Sequence, residues 1–307
     1  MENLALKKRQ GVEAELQLIA PVKEGGAVSQ PSALNESVEQ HYTRPDLGNL
    51  ILAALANAGK DVDNLKPEDL AAIDEFHIRG REATLELAGV LGLGPNVRVL
   101  DVGSGLGGPA RCLAGAFGCR VTGVDLTAEY VRTSAMLAER IGLSNLVTYL
   151  QGDALHLPFS EAAFDVVWTQ HAAMNVRDKA VFYGEMFRVL TPGGALAIYD
   201  ILAGPVSPVH FPVPWARVPE TSFLITADEL RRFLQTSGFT ILNWEDTTDA
   251  ARTWFIDVAK KIQKSGLPPL GFHVLLGPDF QMMAQNQKRN LEEGRVALVQ
   301  VVARRGP

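Results

Sequence analysis

A glycine-rich turn between a short apolar strand and a helix constrains this chain more than any other feature. The stretch 99–108 reads Val-Leu-Asp-Val-Gly-Ser-Gly-Leu-Gly-Gly, and residues with helical spacing follow it. The glycines at 103, 105 and 107 allow a sharp turn and a close approach of the backbone to a ligand. The following helix directs its free N–H groups toward the turn. The pattern therefore predicts a site for a small polar cofactor at the carboxyl edge of a sheet.

Further strands alternate with helices after this turn, as in a parallel α/β sheet. The second strand ends in Asp125, 24 residues after Asp101, where a carboxylate can accept hydrogen bonds from both hydroxyls of a ribose. The third strand ends at Asp153 and Ala154, and the fourth runs into Gln170 and His171. We place strands two to seven at residues 121–125, 147–151, 164–168, 195–200, 239–245 and 296–304.

The four landmarks after strands one to four resemble, in order and spacing, the class I S-adenosylmethionine (SAM)-dependent methyltransferases of the type 11 group. The resemblance implies a Rossmann-like, seven-stranded, mostly parallel sheet with helices on both faces. It also implies SAM as the cofactor and S-adenosylhomocysteine as the product. Asp125 then matches the ribose-binding acid, and Asp153 with Ala154 matches the pair beside the adenine. The cofactor-binding residues predicted in this way are Asp101, Gly103, Ser104, Gly105, Gly107, Asp125, Leu126, Asp153, Ala154 and Gln170.

Within this family the chain is most similar to the sarcosine and dimethylglycine N-methyltransferase-like group of small-molecule enzymes. The similarity rests on residues 76–84, on 105–111 and on the Gln170 region, and it covers about 74–248. In that group an acid commonly follows the glutamine, whereas this chain has His171. The missing carboxylate weakens the case for a cationic amine substrate. A histidine suits an acceptor that carries a hydroxyl or carboxylate group at least as well.

Methyl transfer from a sulfonium needs position and a tuned field more than it needs a reactive side chain. His171 could act as a base or a hydrogen-bond donor, or it could only shape the wall of the pocket. Trp215, in a proline-rich loop after strand five, is interpreted as part of a lid. The predicted substrate residues are His171, Met174, Asn175, Trp215 and Phe223.

Three charged or aromatic segments outside these motifs allow two interpretations each. Arg79 or Arg81 could pair with the carboxylate of the methionine moiety, or both could be surface arginines. For Trp254 and His273 in the segment before strand seven we favour plain packing. The cysteines Cys112 and Cys119 are interpreted as buried thiols.

Composition excludes several classes of function. A net charge of −6 gives no global basic field that would attract nucleic acid or an anionic membrane. No apolar run approaches the length of a membrane span, and the first 20 residues do not resemble a secretory signal. The sequence shows no histidine–cysteine cluster with metal-ligand spacing. We therefore expect a cytoplasmic protein, a monomer or homodimer, without a metal.

Three regions are predicted along the chain: a flexible arm over 1–40, a helical cap over 41–93, and the methyltransferase domain over 94–307. The roughly 50 residues between strands six and seven are too many for a hairpin loop and predict a helical insertion, about 249–294, that serves as a lid. The sequence thus indicates a methyltransferase that acts on a small metabolite, with a nitrogen or oxygen acceptor favoured. The alternatives are C-methylation of a quinone or lipid-like ring and, in a different class, a non-catalytic SAM-binding regulatory protein.

Overall fold

A computed structural model describes residues 33–306 of the chain. Most of the predicted arm, residues 1–32, lies outside the described residues. Residues 33–40 belong to the first helix that the structure describes, α1. In the described range no helix combines the length and the apolar character needed to cross a bilayer.

Seven strands form one sheet in the order β3-β2-β1-β4-β5-β7-β6. Strands β1 to β5 pair with one another in parallel, and β7 runs antiparallel to both of its neighbours, β5 and β6. The predicted Rossmann-like, mostly parallel sheet is confirmed. The strand bounds are Arg98–Val102 (β1), Arg120–Asp125 (β2), Val147–Gln151 (β3), Phe164–Gln170 (β4), Leu190–Ala203 (β5), Phe239–Asp246 (β6) and Val296–Arg305 (β7).

Helices cover both faces of this sheet because its strands are apolar on both sides. In β1, Val99 and Leu100 point to opposite faces and belong to separate buried clusters, one on each side of the sheet. The helices are Ala33–Tyr42 (α1), Leu47–Asn57 (α2), Gly80–Gly89 (α3), Gly108–Phe117 (α4), Ala128–Arg140 (α5), Lys179–Val189 (α6), Ala227–Thr236 (α7), Thr248–Ser265 (α8), Phe272–Leu276 (α9) and Phe280–Glu292 (α10). Short 3₁₀ turns occupy Pro67–Leu70, Ala173–Asn175, Pro219–Thr221 and Gly277–Asp279.

The strand order reverses between β1 and β4, and this reversal places the site. The chain moves outward from β1 to β3 and then returns to the other side of β1 as β4. Such a switch point opens a crevice at the carboxyl ends of the two strands. Gly103 follows β1 at this crevice and His171 follows β4.

The cap and the insertion meet above the same edge of the sheet. Helices α8, α9 and α10 all lie between β6 and β7, so the predicted helical insertion is confirmed. A third buried cluster joins Leu47 and Ile51 of the cap to Leu270 and Leu275 of the insertion. The two additions therefore pack on each other, and the crevice has a roof made of sequence-distant helices.

Candidate active site

A cavity of about 830 Å³ lies at the carboxyl edge of the sheet. Its volume falls within the range of small-molecule sites, about 300–1,000 Å³. The strand ends form one side of it, and α1, α8 and α10 form the other. The predicted residues that line it are Gly103, Ser104, Gly105, Asp125, Leu126, Asp153, Ala154, Gln170, His171, Met174, Asn175 and Trp215.

The glycine loop presents backbone and one hydroxyl to the cavity. Gly105 has a φ of +55°, and a Cβ added there would meet no atom within 4 Å, so this residue leaves room for a ligand. The Ser104 hydroxyl is buried and has no hydrogen-bond partner within residues 33–306. At Gly108, by contrast, a Cβ would lie 1.5 Å from the Asp74 carbonyl oxygen, so that glycine allows the cap to approach the loop.

Asp125 stands at the end of β2, with one carboxylate oxygen hydrogen-bonded to the glycine loop and the other to the residue that precedes α5. The Gly105 N–H donates to Oδ2 and the Thr127 N–H donates to Oδ1, each at 2.8 Å. Burial raises the pKa of Asp125, although both amide donors oppose that change. An ionised carboxylate offers about four lone-pair sites, so two remain for the hydroxyls of a ribose.

Asp153 holds the first described helix over the other end of the cofactor crevice. Its Oδ1 accepts from the Leu155 N–H at 2.8 Å, and its Oδ2 accepts from Asn35 Nδ2 of α1 at 2.9 Å. The unpartnered Ser104 hydroxyl, the open cradle at Gly105 and the two carboxylates fit a nucleoside-bearing cofactor such as SAM. They would contact its polar groups.

Three predicted site residues lie outside the cavity, which corrects their expected contacts. Asp101 is buried beneath the loop, and burial near Glu75 and Asp125 raises its pKa well above its usual range. Gly107 is required for packing, because a Cβ there would lie 2.4 Å from the Tyr149 hydroxyl oxygen. The Phe223 ring stacks on the Arg177 guanidinium at 4.9 Å.

His171 lies where the cofactor crevice meets the rest of the cavity. Its φ is +47°, and its N–H donates to the Tyr199 carbonyl oxygen at 2.8 Å, which holds the residue after β4 in this turn. Its Nε2 is buried and has no hydrogen-bond partner in the described part of the chain. Burial, with the neighbouring His77, lowers the pKa of His171 well below its usual range. Burial disfavours the charged imidazolium, so the imidazole is neutral at physiological pH.

A buried polar network fixes Gln170 beside His171. Trp168 Nε1 donates to Gln170 Oε1 at 3.0 Å, and the Thr84 hydroxyl lies 3.2 Å from the same oxygen. Thr84 also donates to Glu75 Oε2 at 2.8 Å, and that oxygen lies 2.9 Å from His77 Nε2. Gln170 Nε2 is left buried without a partner among residues 33–306. The network thus holds one amide oxygen and leaves the amide nitrogen for a ligand.

Asn175 joins the loop after β4 to the proline-rich loop and to α1. Its Nδ2 donates to the carbonyl oxygens of Trp215 and Thr221 at 2.8 and 2.9 Å. Its Oδ1 accepts from the Tyr42 hydroxyl at 2.8 Å. Trp215 itself is buried, and its Nε1 donates to the Ser222 hydroxyl at 2.9 Å. The loop predicted as a lid is therefore tied to the sheet edge by side-chain amides.

Lys179 secures the same region from below. Its buried Nζ donates to the carbonyl oxygens of Ala173 and Phe223 at 2.6 and 2.8 Å, and also to that of Val176. Burial lowers the pKa of Lys179, and burial raises the pKa of the nearby Asp200. No sequence motif indicates this set of hydrogen bonds, because the acceptors are backbone atoms from two separate loops.

The insertion, predicted as a lid, forms an apolar lobe of the cavity. Trp254, for which plain packing was favoured, lines this lobe, whereas His273 does not. We define the apolar lobe by the apolar side chains of α8 and α10 that line the cavity, which are Trp254, Phe255, Val258, Ala259, Ile262, Phe280 and Ala284. Their helical spacing in the insertion was the available signal.

The arginines considered for the methionine carboxylate lie elsewhere. Arg79 Nη2 is 2.6 Å from Glu86 Oε1, and neither Arg79 nor Arg81 lines the cavity. A different arginine, Arg111 on α4, is buried and lies 2.5 Å from Asp74 Oδ1, a residue of the cavity wall. Within residues 33–306 no group of three or more histidine, cysteine or acidic side chains could hold a metal ion.

Comparison with known proteins agrees with this geometry. The model of a family described as "Methyltransferase domain" matches residues 100–198. A 27-O-demethylrifamycin SV methyltransferase of Amycolatopsis mediterranei is 29% identical over 242 residues, which is 78% of this chain and 87% of that protein. A sterol 24-C-methyltransferase of Gibberella zeae is 38% identical over 116 residues, which is 38% of this chain and 30% of that protein. The chain thus spans less than a third of the length of this sterol methyltransferase.

Solved structures share the fold at low sequence identity. A [4+2]-cyclase has a TM-score of 0.64 at 24% identity, with 90% of this chain and 98% of that chain covered. A Streptomyces coelicolor geranyl diphosphate C-methyltransferase has a TM-score of 0.65 at 19% identity, with 93% and 99% covered. A Haemonchus contortus phosphoethanolamine N-methyltransferase in complex with SAM has a TM-score of 0.66 at 18% identity, with 76% and 55% covered. These findings identify a methyltransferase domain over residues 100–198, on the Rossmann-like fold of the class I SAM-dependent methyltransferases.

Proposed function

We propose that this protein methylates a hydroxyl group of a bulky, largely apolar small molecule, with SAM as the methyl donor. The observation that carries the proposal is His171. Its neutral imidazole has an Nε2 without a hydrogen-bond partner in the described residues, and it lines the same cavity as the glycine loop and Trp254. An alcohol or phenol loses a proton on methylation, and a neutral imidazole positioned beside the hydroxyl can take that proton as the oxygen–carbon bond forms.

The residues of this chain would share the work in a simple way. When bound, SAM supplies an electrophilic methyl group on a sulfonium centre and leaves as S-adenosylhomocysteine. His171 would accept the proton of the acceptor hydroxyl while the new oxygen–carbon bond forms. Asp125 and the glycine loop would hold the nucleoside, and Gln170 Nε2 would donate a hydrogen bond beside the reacting groups. The apolar lobe would exclude water and bind the carbon skeleton of the acceptor.

The acceptor class follows from the lobe and from one relative. Trp254, Phe255 and Phe280 offer aromatic faces, which suit a bulky carbon skeleton better than a small zwitterion such as sarcosine. The rifamycin relative, whose name states an O-methylation, matches over most of both chains. We therefore favour oxygen over nitrogen among the two acceptors predicted from the sequence. The monomer-or-homodimer state and the cytoplasmic location remain predictions.

The direct test is product formation with matched acceptors. Purified protein is incubated with SAM labelled in its methyl group and with 2-hydroxyfluorene, 2-hydroxyfluorenone and estrone, each beside its own methyl ether. The proposal expects labelled ether and S-adenosylhomocysteine from at least one phenol and neither from its ether, in which the hydroxyl is blocked. Label that enters both members of a pair would contradict O-methylation.

C-methylation of a lipid-like or isoprenoid compound is the second candidate, and the apolar lobe favours it. The same lobe that would hold a polycyclic phenol could hold such a chain or ring. The carbon shift of the transferred ¹³C-methyl group separates the two reactions, because a methoxy carbon resonates far from a methyl carbon bonded to carbon. If S-adenosylhomocysteine binds but no acceptor releases label, a non-catalytic role becomes the better account.

A further inference from the structure

Four amide side chains are buried in the described range, and they differ in their hydrogen bonds. Asn290 is fully satisfied, because its Nδ2 donates to the His210 carbonyl oxygen and its Oδ1 accepts from the His210 N–H. Gln300 donates to the Ala83 carbonyl oxygen, and Gln170 has its oxygen paired as described above. Gln287 alone among the four has neither its Oε1 nor its Nε2 paired within residues 33–306.

Gln287 belongs to the wall of the cavity. It lies on α10, three residues after Ala284 of the apolar lobe and one turn before Asn290, and it lines the cavity with only 1% of its surface exposed. Three other polar side chains of α10 line the cavity, but Gln281 and Gln285 are exposed and Lys288 is half-buried. Gln287 is therefore the buried amide of this helix face, able to donate and accept a hydrogen bond in the cavity wall.

An unpaired buried amide is costly for the free protein. Placing such a group in an apolar environment without a partner lowers the stability of the folded state, because the hydrogen bonds that it makes to water in the unfolded chain are lost. A leucine or methionine would fill the same space on α10 without this cost. The same amide becomes favourable when a ligand pairs with it, and sites of this kind reject analogues that lack the matching group.

We propose that Gln287 selects acceptors that carry, apart from the hydroxyl group to be methylated, a carbonyl or second hydroxyl group that hydrogen-bonds to its side-chain amide. This inference deepens the proposed function and rests on the same cavity. It narrows the acceptor from an apolar alcohol or phenol to an oxygenated polycyclic or macrocyclic compound, such as a hydroxyketone.

Binding of two ligands of equal shape tests the selection without any methyl transfer. Fluorenone and fluorene share a rigid tricyclic skeleton and differ in one carbonyl group. Their affinities are measured by tryptophan fluorescence for protein saturated with S-adenosylhomocysteine. For each protein we take the ratio of the fluorenone affinity to the fluorene affinity. This ratio should be at least about fivefold higher in the wild type than in Gln287→Met, whose side chain has the same length but cannot make the hydrogen bond.

The control is Gln235→Leu, an exposed glutamine on α7 that does not line the cavity, which should behave as the wild type. An equal fluorenone preference in the wild type and Gln287→Met would overturn the proposal. Failure of the wild type to bind either ligand would overturn it too, because the proposal requires a lobe that accepts a tricyclic ketone. Catalysis does not enter the measurement, so fluorenone selection without any methylated product would refute only the proposed function.

Stability of the ligand-free protein gives a second, independent readout. Because the native amide is unpaired, Gln287→Met and Gln287→Leu should both raise the thermal unfolding midpoint, by about 2–4 °C. An amide with an ordinary structural role would give the opposite sign. A lower midpoint for both variants would therefore overturn the proposal. Two variants of different shape are used because poor packing of one substituted side chain could lower its midpoint by itself.

Discussion

The two ends of the cavity are built in different ways. At the cofactor end, the acids at the ends of β2 and β3 have defined partners, namely the two amides on Asp125 and the amide of Asn35 on Asp153. At the apolar lobe, side chains of α8 and α10 enclose space with hydrocarbon and aromatic surface, and the buried amide of Gln287 has no partner within residues 33–306. The cofactor end is formed by short local segments, each a strand with the turn that follows it. The apolar lobe forms only when helices far apart in the sequence come together.

This difference indicates which part of the cavity recognises the cofactor and which part would recognise the acceptor. A shared cofactor needs the same few hydrogen bonds in every member of a family, and the strand ends supply them. An acceptor that differs between members needs a wall that can change without disturbing the sheet, and the insertion supplies that wall. His171 lies where the two ends meet, and variants at each place should separate binding of cofactor, binding of acceptor and chemistry.

The largest effect on activity is expected for substitution of His171. For a phenolic substrate identified by the labelling assay, His171→Gln should lower kcat by about 100- to 10,000-fold, the usual contribution of a general base. Affinity for S-adenosylhomocysteine, measured by calorimetry, should stay within about twofold, because the residue is not assigned to the nucleoside. His273→Gln, which does not line the cavity, is the matched control. An unchanged kcat would leave His171 as part of the wall only.

At the cofactor end, Asp125→Ala should weaken SAM binding by about 1.5–3 kcal/mol, roughly 10- to 150-fold. The substitution removes the ribose contacts and also frees the Gly105 N–H that now donates to this carboxylate. Titration calorimetry measures the loss, with Asp228→Ala on the exposed surface of α7 as control. Fluorenone affinity should change little. Unchanged SAM binding would remove Asp125 from the site.

The same division explains what could be predicted from the sequence. Asp125 and Asp153 were found because an acid at a strand end in a parallel sheet must lie at one known edge. Asp101 lies one residue before the end of β1 and is buried, outside the cavity lining, and the sequence pattern of a strand followed by a turn does not distinguish it from the other two acids. Arg79 pairs with Glu86, which lies on the helix that follows Arg79 in the chain. The sequence allowed either this local ion pair or a contact to the ligand, and it could not distinguish the two.

The sequence predicts a helical cap and a lid insertion, but the contacts that join them into a roof could not be predicted, for a physical reason. Helix α1 has few apolar residues, and its position depends on single side chains, Asn35 on Asp153 and Tyr42 on Asn175, that no periodicity reveals. Trp254 was assigned to packing because an aromatic residue on a helix looks the same whether it faces a core or a cavity. Only the meeting of the cap and the insertion decides that question, and it is a tertiary event.

A smaller effect is expected at the apolar lobe. Trp254→Ala removes a half-buried aromatic surface and should weaken fluorenone binding by about tenfold, the value for losing about 50–60 Å² of apolar contact. SAM affinity should not change. Trp244→Ala is the matched control, because that ring lies under Arg231 at 3.8 Å and not in the cavity. Equal losses for both tryptophans would place the binding surface elsewhere.

The smallest effect concerns pH and again tests His171. The pKa of His171 is lowered in the folded protein by burial and by His77, whereas an unfolded histidine has a pKa of about 6.5. Between the folded value and 6.5 the unfolded chain binds more protons, so this residue makes the free energy of unfolding rise with pH in that window. Above 6.5 its contribution is constant.

His171→Gln should therefore remove part of that slope. Urea unfolding of the wild type and the variant at several pH values from 5 to 8 measures it as the difference between the two curves. The free energy of unfolding of the variant minus that of the wild type should increase as the pH falls below 6.5 and should be constant above it. His41, whose pKa is also lowered by burial, is present in both proteins and cancels. Parallel curves throughout would mean that His171 titrates as it does in water, which removes the argument for a neutral base between the two ends of the cavity.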